Sequence, residues 1–166
     1  MTTLPRPLAD AARKLVETAA ARGLALATAE SCTGGLVAAS ITEIAGSSAV
    51  LERGFVTYSN AAKAESLAVP VALIAQHGAV SEEVACAMAE GALFNSHADI
   101  AVAITGIAGP GGGSDTKPVG LVWFALARRG AAVHTEQHLF TGLDRHGVRE
   151  AAAREALRLL TEAAGG

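Results

Sequence analysis

Glu30, Ser31, Cys32 and Thr33 stand side by side, and Gly34 and Gly35 follow at once. Building a core does not require four reactive side chains in four positions. Placed before a helix, such a stretch has unpaired amides that carry partial positive charge. Those amides can hold an oxyanion or a phosphate, and glycines let a substrate approach the backbone. The stretch reads as a nucleophile turn, with Ser31 attacking and the amides of Thr33, Gly34 and Gly35 receiving negative charge. The competing reading is a plain helix cap on Ser31 or Thr33.

A serine nucleophile needs a base, and histidine is the usual one. His77, His97, His134, His138 and His146 all fall away from the C-terminal ends of the expected strands. Lys63, in YSNAAK, is better placed. It can act only when neutral, which requires burial or a nearby cation; as a solvated helix lysine it would have no such role. Tyr58, the only tyrosine, lies close to it and can relay a proton or pack at the sheet edge. Cys32 is the rival nucleophile, because a helix N-terminus lowers a thiol pKa, but no histidine is placed to pair with it. Glu30 can orient Lys63, bind substrate or form a structural ion pair.

Thr105 and Gly106 lead into a long glycine- and proline-rich loop, GIAGPGGGSDTKPVG. It lacks the Gly-Lys-Ser/Thr of a phosphate loop, and it does not open a helix as a dinucleotide fingerprint does. Its amides can still contact an anion or a planar ring. Arg145 and Arg149, at the start of the last expected helix, can neutralise a phosphate.

The elements that must position these groups follow from periodicity. Residues 7–22 carry apolar side chains at helical spacing and end at Gly23. LALAT (24–28) reads as a short buried strand, and the pattern turns helical from Thr33 to about Gly46. ERGFVTYS (52–59) is a second strand, followed by a helix over 60–69 that Asn60 can cap. A further short helical turn covers VALIAQHG, and Ser81 caps a helix with acidic residues in its first turn. DIAVAIT (99–105) has the continuous apolar character of a buried parallel strand. GLVWFALARR and AVHTEQHLF flank a two-residue turn at Gly130–Ala131 and form a hairpin. Asp144 caps a last helix to about Glu162, with an apolar face of Val148, Ala152, Ala156, Leu159 and Leu160.

Strands alternating with helices, then one hairpin, predict a single α/β domain over residues 1–166, a three-layer α/β/α sandwich on a mixed sheet. Ligands of open sheets gather at the carboxyl ends of the parallel strands. Three polar or glycine-rich segments meet there: Ser31 onward, Tyr58–Lys63 and Thr105–Gly113.

Composition narrows the function classes. The 166 residues are 51% hydrophobic and 17% charged, enough for one real core. With a net charge of −3, scattered Lys and Arg and few aromatics, the chain offers no nucleic-acid footprint. Its two cysteines build no disulfide framework and no metal spacing. The N-terminal stretch has no apolar signal core and no run spans a bilayer. These features predict a cytoplasmic protein with no membrane partner, no metal and no cofactor.

TAESCTGG, GSSAVLERGFVTYSNAAK, HGAVSEEVA and ITGIAGPGGGSDTKPVG occur in this order, and over about residues 8–160 the chain resembles the CinA C-terminal domain family. The stand-alone members of that family are nicotinamide-nucleotide amidases. The resemblance implies deamidation of nicotinamide mononucleotide to nicotinate mononucleotide, with ammonia released, in pyridine-nucleotide salvage. It also implies a five-stranded sheet of order 2-1-3-4-5 with strand four antiparallel, and a homodimer or higher homo-oligomer. It assigns the nucleophile to Ser31, places Tyr58 and Lys63 beside it, and adds Thr105 and Arg145 to the site. Two rivals stand against this reading. One is a Ser–Lys amidohydrolase acting on another small amide; the other is a mononucleotide-binding module that turns nothing over.

Overall fold

The computed structural model describes residues 3–165. A helix α1 (Arg6–Ala21) opens the chain, then strand β1 (Leu26–Glu30), helix α2 (Leu36–Thr42), a short 3₁₀ turn (Ser47–Ala49) and strand β2 (Leu51–Val56). Helices α3 (Asn60–Leu67), α4 (Val71–His77) and α5 (Glu82–Phe94) follow. Strands β3 (Ile100–Gly106), β4 (Leu121–Arg128) and β5 (His134–Leu139) precede the last helix, α6 (Arg145–Ala163). The sheet order is β2-β1-β3-β4-β5. β1 runs parallel to both β2 and β3, whereas β4 is antiparallel to β3 and β5. The expected sandwich and strand order are therefore the observed ones.

Side-chain size separates the two faces of the sheet. On β3, Ile100, Val102 and Ile104 point to one face, while Ala101 and Ala103 point to the other. The large face joins Leu26, Phe124 and Leu126 under α1, α2 and α6. The alanine face also carries Ala27, Ala29, Ala125 and Ala127, and packs against Val84, Met88 and Ala92 of α5. Small side chains on this face let α5 lie close to the sheet. Gly91 carries the same logic between helices: a Cβ there would stand 1.9 Å from the Leu67 carbonyl oxygen at the end of α3.

Several boundaries differ from the sequence expectation. β1 lies two residues later than LALAT, so Glu30 ends the strand instead of starting the turn. α2 begins at Leu36, not Thr33, because Gly34 (φ 59°) and Gly35 (φ 95°) hold left-handed conformations that open the chain into a non-helical turn. It also ends at Thr42 instead of running to about Gly46. β2 stops at Val56, leaving Thr57 and Tyr58 on the connection. Ser59, not Asn60, caps α3: its side chain accepts from the Ala62 amide at 3.0 Å. The β4–β5 connection is not a two-residue turn but the five residues 129–133. There Arg129 donates to the Leu93, Ser96 and Ala98 carbonyls, tying the loop to the end of α5. Ser81 and Asp144 cap α5 and α6 as expected, accepting from the Val84 and Gly147 amides at 3.3 and 2.8 Å.

Candidate active site

The three strand ends open into one cleft of about 280 Å³. Ser31 and Cys32 line it from the end of β1, and Tyr58, Asn60 and Lys63 from the β2–α3 connection. Thr105 and Gly106 line it from β3, and Arg145 closes the rim from α6. This convergence follows from topology: β1, β2 and β3 are mutually parallel, so their carboxyl ends meet on one edge.

Lys63 is in the first turn of α3, yet only 1% of it is exposed. Its Nζ donates to Ser31 Oγ at 2.9 Å and to the Thr57 carbonyl at 2.9 Å. Burial pushes its pKa below the ordinary lysine value, against a smaller opposing pull from Cys32. A lysine with few partners and little water is one that can be neutral, and a neutral amine 2.9 Å from a hydroxyl can take its proton. The Thr57 carbonyl, a ligand that fixes the amine, has no sequence signal because its contribution is backbone alone.

Cys32 sits beside Ser31 but in another chemical state. It is buried, and that burial pushes its thiol up to about 11. A thiol so placed stays protonated near neutrality and is a poor nucleophile.

Glu30 faces α2. Its two carboxylate oxygens accept from the Val37 amide at 2.8 Å and the Ala38 amide at 3.0 Å. These are orphan amides of the first turn of α2, so Glu30 does the work of an N-cap from outside the helix. Neither Lys63 nor the cleft is its partner. Thr33 is fully buried, and its hydroxyl has no partner among the described residues. The Gly34 amide closes the turn on the Ser31 carbonyl at 3.0 Å. The Thr33 amide has no acceptor among the described residues.

Thr105 donates its hydroxyl to the Ala79 carbonyl at 2.8 Å, holding the 79–80 segment against the cleft. Lys117, from the glycine-rich loop, does the same nearby by donating to the His77 carbonyl at 2.5 Å. Arg145 spans the mouth. Its Nη1 donates to the Gly109 carbonyl and its Nη2 to the Tyr58 hydroxyl, both at 2.8 Å. Tyr58 is 60% exposed, so its hydroxyl is reachable from solvent. Arg149 does not line the cleft; it donates to the Cys32 and Thr33 carbonyls.

None of the histidines lines the cleft. His138 instead belongs to a group with Glu136 and Glu155 whose ligand atoms lie within 4.8 Å of one another. Alternation along β5 and the approach of α6 make this group, which sequence spacing did not show. Arg158 bonds both carboxylates, so the guanidinium already supplies their positive charge.

A serine held by a buried lysine, at the parallel strand ends of an α/β/α sandwich, has the layout of a hydrolytic site with a Ser–Lys pair. The chain matches the CinA C-terminal domain over residues 8–164. It is 58% identical over 140 residues to the nicotinamide-nucleotide amidohydrolase PncC of Escherichia coli K12, covering 84% of each protein. It is 56% identical over 141 residues to a CinA-like protein of Mycolicibacterium vanbaalenii, covering 85% of this chain and 33% of that longer protein. The crystal structure of a competence/damage inducible protein from Agrobacterium tumefaciens superimposes over the full length of both chains, with a TM-score of 0.96 and 47% identity. The chain belongs to the CinA C-terminal domain family.

Proposed function

We propose that this protein is a nicotinamide-nucleotide amidohydrolase that converts nicotinamide mononucleotide and water to nicotinate mononucleotide and ammonia. The observation that carries the reading is the buried Lys63 amine 2.9 Å from Ser31 Oγ. Relatives of more than half identity that bear the amidohydrolase name support the substrate.

In this mechanism Ser31 Oγ attacks the carboxamide carbon while neutral Lys63 takes the hydroxyl proton. The carbonyl oxygen becomes an oxyanion and rests on amides of the turn that follows Ser31. The C–N bond then breaks. The departing nitrogen takes the proton from Lys63, directly or through Tyr58, and leaves as ammonia. Water, deprotonated by the regenerated lysine, attacks the acyl-serine; the C–O bond breaks and Ser31 recovers its proton. Arg145, with Thr105, Gly106 and the glycine-rich loop, holds the phosphate and ribose. The residues need no metal and no cofactor for these steps. No helix among the described residues is long and apolar enough to cross a membrane. We place the enzyme in the cytoplasm, as a homodimer or higher homo-oligomer that binds a small molecule and no nucleic acid.

The test is ammonia release from nicotinamide mononucleotide by the wild type, Ser31→Ala and Lys63→Ala. Release by the wild type and almost none by either variant is the expected result. Tight nucleotide binding without release by the wild type would leave a binding module.

A further inference from the structure

Arg145 and Arg149 lie one turn apart at the start of α6 but have different partners. Arg145 reaches the cleft mouth at Tyr58 and Gly109. Arg149 contributes nothing to the cleft wall and grips the nucleophile turn itself. Its Nε donates to the Cys32 carbonyl at 3.1 Å and its Nη2 to the Thr33 carbonyl at 3.0 Å. The guanidinium lies close against the turn: a Cβ on Gly34 would stand 3.4 Å from Nη2.

The turn needs outside support. Gly34 and Gly35 both occupy the left-handed region, where glycine is at its most permissive, so the chain does not fix its own peptide directions. Glu30 anchors the far side of this soft segment through the Val37 and Ala38 amides. Arg149 anchors the near side, at the two peptides that follow Ser31.

Peptide planarity makes that grip directional. The Cys32 carbonyl and the Thr33 N–H belong to one planar trans peptide and point in opposite directions. Holding the carbonyl therefore aims the N–H. The Thr33 carbonyl and the Gly34 N–H form the next peptide, and that N–H closes the turn on the Ser31 carbonyl. The cation sits at the carbonyl end of both dipoles and favours donation from both N–H groups.

We infer that Arg149 is a positioning residue that fixes the two peptides following Ser31 and so holds the nucleophile turn in its reactive geometry, and that it holds no part of the substrate phosphate. The inference rests on Ser31 being the nucleophile and goes beyond it by naming what holds the turn that carries it.

The experiment measures kcat and KM for ammonia release from nicotinamide mononucleotide, and binding of nicotinate mononucleotide. It uses the wild type, Arg149→Ala, Arg149→Lys and Ser31→Ala. A misplaced nucleophile turn costs on the order of 100-fold. The expected result is a kcat about 100-fold lower in Arg149→Ala, with KM and product affinity within about threefold of wild type. Arg149→Lys, which can hold one carbonyl but not both, should recover part of the loss. Added guanidinium ion should also raise kcat of Arg149→Ala while leaving the wild type unaffected. A raised KM and weakened product binding at steady kcat would make Arg149 a phosphate ligand and overturn the inference. Unchanged kcat in both Arg149 variants, beside an inactive Ser31→Ala, would overturn it alone. Full activity in Ser31→Ala would overturn the nucleophile reading and the inference together. Should Arg149→Ala not fold, the kcat and KM of the charge-retaining Arg149→Lys decide between the same alternatives.

Discussion

The amine of Lys63 reaches Ser31 Oγ at 2.9 Å from a helix that begins after another strand, and protein covers it almost completely. Burial holds the lysine pKa below its ordinary value, so its neutral form is populated at lower pH than that of a free lysine. The rate of ammonia release should therefore rise with pH through the lowered Lys63 pKa and level off before the ordinary lysine range. A pH–kcat/KM profile checks this, because that ratio reports the free enzyme. A profile still rising in step with an unperturbed lysine would rule out the buried base.

The same burial carries a stability consequence. A lysine whose pKa falls on folding binds its proton more tightly in the unfolded chain. Its contribution to stability is most favourable above the unfolded pKa of about 10.4 and is lost as pH falls through the lowered folded value. At neutral pH, Lys63→Met should abolish activity yet raise the melting temperature, by roughly 2–4 °C for each kcal/mol relieved. Thermal denaturation at pH 7 and pH 10 measures both the gain and its decline toward high pH.

Glu30 should behave as a structural residue. Glu30→Ala strips one buried and one part-buried helix amide of their acceptor, a cost of about 1–3 kcal/mol for the buried donor left unpaired and less for the other. Urea unfolding of Glu30→Ala should show that loss, and Glu30→Gln, which can still serve one amide, should show less. A Glu30→Ala protein as stable as wild type, with activity gone, would instead put this carboxylate in the chemistry.

Arg145 is expected to govern affinity. Hydrogen bonds to a charged group contribute about 1.5–3 kcal/mol, so Arg145→Met should raise KM by roughly 10- to 150-fold. Tyr58→Phe removes the hydroxyl that accepts from Arg145 Nη2 and leaves the guanidinium less fixed; a smaller rise in KM follows. Steady-state kinetics on nicotinamide mononucleotide and on its dephosphorylated nucleoside check the assignment, since Arg145→Met should narrow the difference between them.

Acid should loosen the β5–α6 contact. Burial raises the Glu136 pKa, but hydrogen bonds from His134, His138 and Arg158 outweigh it and hold the carboxyl at about 2. The stability this supplies is present above the unfolded carboxylate pKa and is lost as pH falls through about 2. Glu136→Gln should flatten the acid limb of the stability–pH curve, measured by urea unfolding between pH 5 and pH 2.

How much of this was legible in the chain follows from what each feature depends on. The class of fold rests on the alternation of helical and strand periods and on one hairpin, all local patterns, and these predicted the α/β/α sandwich. The cleft edge rests on parallel strands sharing a carboxyl end, so Ser31, Tyr58, Lys63 and Thr105 could be grouped from sequence order and the rule for open sheets. Their partners could not be read this way. The burial of Lys63, its grip on the Thr57 carbonyl and the bond from Arg145 to Tyr58 all join residues on separate elements. Glu30 and Arg149 show why residue type alone does not decide. A carboxylate beside a serine and an arginine at the start of the last helix both read as ligands. The onset of α2 at Leu36 turns the first toward helix amides, and the packing of α6 on β3 and α2 turns the second toward peptide carbonyls. Sequence supplied the reactive groups and the edge where they meet; tertiary packing decided which are buried, which are paired and which remain free to react.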